Sequence, residues 1–174
     1  AITLSIPGAE SQGGVEYQVH TQTYGWMGWQ SDGAMAGTEG QAKRLEAVQM
    51  KLTGTLADQY DIYYRAHVQT YGWLGWAKNG ESAGSEGLAK RVESIQVVLM
   101  PKGSAPDDYD ATQASFYEAM ISGSAQIQSY GWQSAVSTSL TEPITLGTTG
   151  QGKRLEAITL SIPGAESQGG VEYQ

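Results

Sequence analysis

The sequence contains 174 residues with a net charge of −8, of which 40% are hydrophobic and 16% charged. This balance is typical of a folded protein, and the negative charge argues against nucleic acids and anionic membrane surfaces as partners. The chain has no cysteine and no run of about 18 apolar residues, which excludes disulfides, thiol catalysis and cysteine zinc sites and predicts no transmembrane helix.

The first predicted element is a strand in Ala1–Ile6, here called the leading hexapeptide, which a linker extends to residue 14. The first eighteen residues recur letter for letter as Ala157–Gln174, so the chain holds one period of 156 residues plus an overlap. Such identity indicates either a tandem array or a deliberate duplication. In both cases the trailing hexapeptide, Ala157–Ile162, fits the same kind of site as the leading one.

A shorter unit then repeats three times within the period. We assign copy one to residues 15–55, copy two to 56–103 and a divergent copy three to 104–162, with a linker and the start of the next period at 163–174. Each copy carries a Tyr-Gly-Trp and, further on, a Lys-Arg. The spacing is the same in the first two copies, whereas copy three has four extra residues between Trp132 and Lys153.

Each copy is predicted to fold as strand, turn, loop and strand. Apolar residues alternate along Val15–Tyr24 and again along Glu46–Leu52, which is typical of half-buried strands. Asp32-Gly33 and Asn79-Gly80 are hairpin dipeptides, and a glycine-rich loop follows. A unit of about 40 residues buries too little surface to be stable alone. The sequence therefore predicts an all-β, pseudo-threefold domain of the β-prism or β-trefoil kind.

The segments YGWMGW and AGTEGQAKRLEA carry a family resemblance. They are similar to the clostridial hydrophobic W repeat of extracellular proteins from clostridia and related Gram-positive bacteria, and the resemblance covers nearly the whole chain. Copy three departs from the pattern, with Gln126 in place of a histidine and no second tryptophan. The resemblance implies a secreted, non-catalytic protein with a cell-surface or adhesive role that contacts polysaccharide or protein.

Two sets of tryptophans are expected to play different roles. A structural role is expected for the tryptophans of the Tyr-Gly-Trp segments, which are Trp26, Trp73 and Trp132. The second set, Trp29 and Trp76, is absent from copy three and lies beside the turns at Asp32 and Asn79. Trp29 and Trp76 are predicted to contact a ligand or partner, because an aromatic face suits the C–H face of a sugar. Asp32 and Asn79 are included in the prediction because they lie beside the two tryptophans.

An arginine and a glutamate two residues later recur in every copy. The pairs are Arg44 and Glu46, Arg91 and Glu93, and Arg154 and Glu156. A carboxylate on the apolar face of a strand must be paired or hydrogen-bonded, so we expect a structural role for all six residues. Glycoside hydrolysis needs two carboxylates about 5–10 Å apart in a cleft, and three symmetry-related acids do not form that pair. We therefore expect no enzymatic activity.

His20 and His67 fall on the polar face of their strands and are expected on a solvated or self-associating sheet, as partner contacts. Two histidines in different copies do not supply the three or four ligands of a metal site. The acidic run Asp107–Asp110 lacks the ordered alternation of a calcium loop, so it is predicted to be a solvated linker. We expect no metal and no cofactor.

The duplicated strand leads to the functional hypothesis. We expect a secreted surface protein whose copies assemble head to tail into a tandem array or filament, with the protein itself as its partner. The residues assigned to self-association are Ala1, Ile2, Thr3, Leu4, Ser5, Ile6, Ala157, Ile158, Thr159, Leu160, Ser161 and Ile162. The alternatives are a lectin-like module for cell-wall or host glycans, and an engineered chain with a duplicated strand.

Overall fold

The computed structural model describes residues 1–140, 142–163 and 171–172. Copy one contains the strands β1 (Val15–Thr21), β2 (Gly25–Trp26), β3 (Gln30–Ser31) and β4 (Leu45–Leu52). Copy two contains a helical turn, α1 (Leu56–Gln59), and the strands β5 (Tyr60–Val68), β6 (Gly72–Trp73), β7 (Ala77–Lys78), β8 (Ala83–Glu86) and β9 (Val92–Pro101). The remaining strands are β10 (Phe116–Glu118), β11 (Met120–Ile127), β12 (Gly131–Trp132), β13 (Val136–Ser139) and β14 (Leu155–Ser161).

The three copies share one strand plan. In each, the first long strand pairs with the last long strand on one side and with two short strands on the other. The long pairs are β1 with β4, β5 with β9, and β11 with β14, all antiparallel. A register shift interrupts each long pair near the end of its first strand. The predicted all-β fold of three repeated units is confirmed.

The alternation of the first strands places their apolar residues in the core. Val15, Tyr17 and Val19 of β1 are fully buried. In β5, Tyr64 is also fully buried, and its hydroxyl donates a hydrogen bond to the carbonyl of Glu81 after the β7 turn. Because the buried tyrosine ties the strand to the turn, the core and the hairpin are fixed together.

The chain divides into two compact units, Ala1–Tyr117 and Glu118–Gln174. The first unit contains copies one and two, whose strands enclose one core of buried residues. Three residues of the leading hexapeptide pack against that core, namely Ile2, Leu4 and Ile6. The second unit contains the copy-three sheet of β11 to β14. The assigned boundaries of the copies stay a prediction, and most of the linker at 163–174 lies outside the described residues.

Within the described ranges, none of the helices is both long and apolar enough to cross a membrane.

Candidate self-association site

The leading hexapeptide lies against the glycine-rich loop of copy one. Ile2 and Ala36 exchange two backbone hydrogen bonds of 2.8 and 2.9 Å, and the amide of Gly33 donates to the carbonyl of Leu4 at 2.8 Å. We call this surface of copy one, formed by Gly33, Ala36 and Gly37, the strand slot. The hexapeptide is therefore held by backbone bonds and by packing of its apolar side chains.

The last strand of copy one lies on copy two in the same way. β4 pairs with β8 in the register Ala47 with Gly84 and Val48 with Ala83. The amide of Gly80 donates to the carbonyl of Met50 at 2.7 Å.

These contacts correspond to the contacts of the leading hexapeptide position by position. Ile2 stands where β4 has Val48, and Leu4 stands where β4 has Met50. On the receiving side, Ala36 corresponds to Ala83. The leading hexapeptide thus fills, on copy one, the place that the last strand of a preceding copy would fill.

The glycine of the slot is required by the close approach of the docked strand. A Cβ on Gly84 would lie 2.4 Å from the carbonyl oxygen of Glu46, and Gly84 has φ +127°. A Cβ on Gly37 would lie 2.9 Å from the Cα of Ala1, and Gly37 has φ +108°. Both the space and the backbone conformation exclude a side chain at these two positions.

The trailing hexapeptide pairs with the first long strand of its own copy, as β4 pairs with β1. It forms most of β14, which pairs with β11 in a register that places Ile158 opposite Ala125 and Leu160 opposite Gly123. Within the described part of Glu118–Gln174, β14 has a strand partner on that edge only. Val48 of β4 is fully buried, whereas its counterpart Ile158 is only half-buried. The leading hexapeptide therefore makes the contacts that correspond to those of β4 with copy two. The trailing hexapeptide makes the contacts that correspond to those of β4 with β1.

A charged cluster joins copy one to copy two beside this pairing. Nδ1 of His20 lies 3.2 Å from Glu46, and Nε2 lies 3.5 Å from Glu86 of β8. The indole of Trp26 donates to the second oxygen of Glu86 at 3.3 Å. Only 8% of His20 is exposed, so it does not lie on the solvated face that the alternation predicts. The correction has a physical reason, because Glu86 comes from the next copy and covers it.

The predicted pairing of arginine with glutamate appears in two copies. Arg44 donates to Glu46 at 3.1 Å, and Arg91 donates to Glu93 at 2.7 Å. Burial alone would raise the pKa of the Glu46 carboxyl, but hydrogen bonds from His20 and Arg44 outweigh it and lower that pKa.

The residues equivalent to this charged cluster are more exposed to solvent in copies two and three. Nδ1 of His67 lies 3.3 Å from Glu93, with 35% of the His67 side chain exposed. In copy three, Arg154 and Glu156 are both exposed. Among the described residues the cluster is most buried in copy one, where Glu86 of copy two lies against it.

The tryptophans of the Tyr-Gly-Trp segments differ in exposure. Trp26 is half-buried, whereas Trp73 and Trp132 are 36% and 53% exposed. Trp26 donates its indole N–H to the carboxylate of Glu86. None of the three lies in the buried core.

The second pair of tryptophans lies on the outer faces of copies one and two. Trp29 is 38% exposed, with the ammonium of Lys51 4.2 Å from its ring centre. Trp76 is half-buried and donates to Asp108 at 2.9 Å. Arg65 lies 4.4 Å from the ring centre of Trp76 and forms an ion pair of 2.9 Å with the same carboxylate.

All four residues of the acidic run Asp107–Asp110 are exposed, as expected of a solvated linker. The structure adds that Asp108 is bound to copy two through Trp76 and Arg65. The hydrogen bond from Trp76 is the main cause that lowers the pKa of its carboxyl. Sequence gave no signal for this contact, because the two residues are far apart along the chain. Trp29 is consequently more accessible than Trp76.

Asp32 and Asn79 hold their own hairpins together. Asp32 accepts the amide of Val15 at 2.9 Å, and Asn79 accepts the amide of Ile62 at 3.1 Å. Both residues have positive φ, +36° and +47°, and a glycine follows each, as the hairpin dipeptides predict. Their side-chain oxygens accept hydrogen bonds within the fold, and their role as ligand contacts stays a prediction.

Within the residues whose placement is described, no group of three or more His, Asp or Glu side chains is arranged to hold a metal ion.

The comparisons with known proteins agree with the repeat plan. A model of the family Clostridial hydrophobic W (ChW) matches residues 20–54, 67–101 and 126–164, together more than half of the chain. A search of the curated proteins and a search of the solved structures gave no match.

Proposed function

Since the chain belongs to the Clostridial hydrophobic W family, we propose that it is a non-catalytic structural and adhesive protein of a bacterial cell surface. Its copies assemble head to tail by sharing a strand. The trailing hexapeptide of one period pairs with β11 on its inner edge and enters the strand slot of the next period with its outer edge.

One observation carries the proposal. The leading hexapeptide occupies the slot with the hydrogen bonds that β4 makes to copy two, and it is identical in sequence to the trailing hexapeptide. Within the described part of its unit β14 leaves its outer edge unpaired, and half-buried Ile158 and Leu160 on such an edge favour pairing with another strand. Because donor and slot lie on different copies, the contact is heterologous, and without closure it generates a row.

The proposal applies to two arrangements. In a tandem array within one polypeptide, a single hexapeptide serves as the last strand of one period and fills the slot of the next. Between separate chains, the trailing hexapeptide of one molecule displaces the leading hexapeptide of another, as in strand complementation. Both arrangements form the same pairs, Ile158 with Ala36 and Leu160 with Gly33.

Disulfide trapping tests this pairing, because the chain has no cysteine of its own. One protein carries Ile158→Cys, and the second carries Ala36→Cys together with Leu4→Asp, which weakens its own leading hexapeptide. Directly opposed residues of antiparallel strands lie about 5.5 Å apart, within the range that a disulfide spans. We expect a disulfide-linked dimer on electrophoresis after the two proteins are mixed and oxidised.

Two controls accompany this experiment. Thr159→Cys replaces Ile158→Cys as the negative control, because the neighbouring side chain points to the opposite face of the strand. A single chain with Ile2→Cys and Ala36→Cys is the positive control and should close an internal disulfide. Circular dichroism must show that the Leu4→Asp protein remains folded. A dimer yield no greater than that of the Thr159→Cys protein would contradict strand sharing.

A glycan-binding role is the second candidate, and the exposure of Trp29 favours it. Trp29 is 38% exposed, and an aromatic ring suits the C–H face of a sugar. The ammonium of Lys51 beside the ring forms an ion pair of 2.9 Å with Glu16. Titration with cell-wall polysaccharide, followed by tryptophan fluorescence, tests it. Trp29→Ala should abolish the response, whereas Trp76→Ala should preserve it because Asp108 and Arg65 already engage that ring. An equal response in both variants would exclude the Trp29 site.

A further inference from the structure

The junction between copies one and two shows how one copy recognises the next. Glu86 lies three residues after Ala83, which pairs with the last strand of copy one. Its two carboxylate oxygens face Trp26 at 3.3 Å and His20 at 3.5 Å. The acid of the following copy thus accepts a hydrogen bond from Trp26 and lies within ion-pair distance of His20, both of the preceding copy.

Copy one presents the same acid at its own slot. Glu39 lies three residues after Ala36, which pairs with Ile2 of the leading hexapeptide. Relative to the docked strand, Glu39 stands where Glu86 stands relative to β4. It is exposed, and no hydrogen bond or ion pair joins it to any residue within the described ranges. Its carboxylate is therefore available to a partner.

Copy three presents the matching donors. Gln126 occupies the position of His20, and Trp132 occupies that of Trp26. The two are paired across β11 and β12 as His20 and Trp26 are paired across β1 and β2. Trp132 is 53% exposed, and the side-chain amide of Gln126 carries an N–H donor where copy one has the imidazole of His20.

We infer that Glu39 of one period accepts hydrogen bonds from Trp132 and Gln126 of the preceding period, and that this contact specifies which copy follows which. The inference rests on the proposed function and names its recognition residues. Copy three has Thr149 at the position of the acid, so it offers no carboxylate there. Copy one can therefore accept this contact through Glu39, whereas copy three cannot.

The disulfide-trapping assay also tests this inference. Glu39→Lys is added to the protein with Ala36→Cys and Leu4→Asp, and the rate of dimer formation with the Ile158→Cys protein is measured. Hydrogen bonds to a charged group are among the stronger ones, so we expect the rate to fall about tenfold or more. Asp58→Lys, at the exposed helical turn α1, is the control for the same change of charge and should leave the rate within about twofold.

Two further variants separate recognition from general charge effects. Trp132→Phe in the Ile158→Cys protein removes the indole N–H and keeps the ring, and we expect a lower rate. Gln126→Glu combined with Glu39→Lys on the partner should restore trapping, because the new pair has opposite charges. An unchanged rate with Glu39→Lys would overturn the inference while leaving strand sharing in place. Loss of trapping in the parent pair would instead remove the proposed function.

Discussion

The strands β4 and β14 hold equivalent places in copies one and three, yet their surroundings differ. β4 lies between β1 and β8, and its Val48 and Met50 are almost completely buried. β14 has a partner on one edge within its unit, and its Leu155 is 53% exposed. In copy one, then, the last strand is completed by the loop of the following copy.

The first long strands differ as well. Tyr17 and Tyr64 fill the cores of copies one and two, whereas copy three has Gly123 at this position. A Cβ on Gly123 would lie 2.8 Å from Leu160 and 3.0 Å from Leu146. Two leucines therefore occupy the space of the tyrosine ring. Copy three lacks the tie between core and hairpin that the tyrosine hydroxyl provides.

The largest expected effect is on the buried tyrosine that joins the core to the hairpin. Tyr64→Ala should lower the free energy of unfolding of the first unit by about 3–5 kcal/mol, because a fully buried aromatic ring is removed. Tyr24→Ala is the control, since Tyr24 is 52% exposed and should cost under about 0.5 kcal/mol. Urea unfolding of both variants measures the difference. Equal losses would show that the buried tyrosine does not organise the copy.

The second prediction compares the glycines that receive the docked strand. Gly84→Ala should cost about 3 kcal/mol or more, because its Cβ would meet β4 and its φ is +127°. The equivalent Gly147 of copy three also has positive φ, +112°, but a Cβ there would find its nearest neighbour at 3.7 Å. Gly147→Ala should therefore cost only about 1 kcal/mol. A similar cost at both positions, by thermal unfolding, would contradict the slot geometry.

The third prediction concerns Asp61, which only copy two has. The amide of Gly103, the amide group of Asn79 and the ammonium of Lys102 lower the pKa of its carboxyl from 3.8 to about 2. Since the folded pKa is depressed, the stabilisation is fully present above about pH 4 and is lost as the pH falls through about 2. Asp61→Asn should remove about 1–2 kcal/mol at pH 6 and flatten this acid dependence.

Copy one provides the comparison for Asp61, because Gly14 stands at its position and Asp32 replaces Asn79. Asp32→Asn should change the free energy of unfolding by less than about 0.5 kcal/mol, since the amide oxygen can still accept the hydrogen bond from Val15. Urea unfolding between pH 2 and pH 6 measures both variants. An Asp61→Asn protein that keeps the parent's acid dependence would refute the assignment.

The smallest expected effect distinguishes the Tyr-Gly-Trp tryptophans. Trp26→Phe removes the hydrogen bond to Glu86 and should cost about 1.5 kcal/mol. Trp132→Phe should cost less than about 0.5 kcal/mol in dilute protein, because Trp132 is 53% exposed. Differential scanning calorimetry resolves the two. Equal costs would mean that the Trp26 bond contributes nothing to the junction.

Much of the fold was predictable from local sequence. Period-two alternation predicted the long strands, Asp32-Gly33 and Asn79-Gly80 predicted the hairpins, and the spacing of Arg44 and Glu46 predicted their pairing. Contacts between copies were not predictable in this way. The burial of His20 depends on Glu86 from the next copy, and the covering of Trp76 depends on Asp108 from a distant connection. No local pattern encodes either contact.

Hydrogen exchange at the amide of Ile158 tests the central claim most directly. In the equivalent position, Ile2 donates its amide to Ala36 across the slot, so the outer edge of β14 carries the corresponding donor. We predict that adding an excess of the Leu4→Asp protein slows exchange at Ile158, while Thr159, paired to β11, changes little. An Ile158 amide that exchanges equally fast with and without that partner would contradict head-to-tail strand sharing.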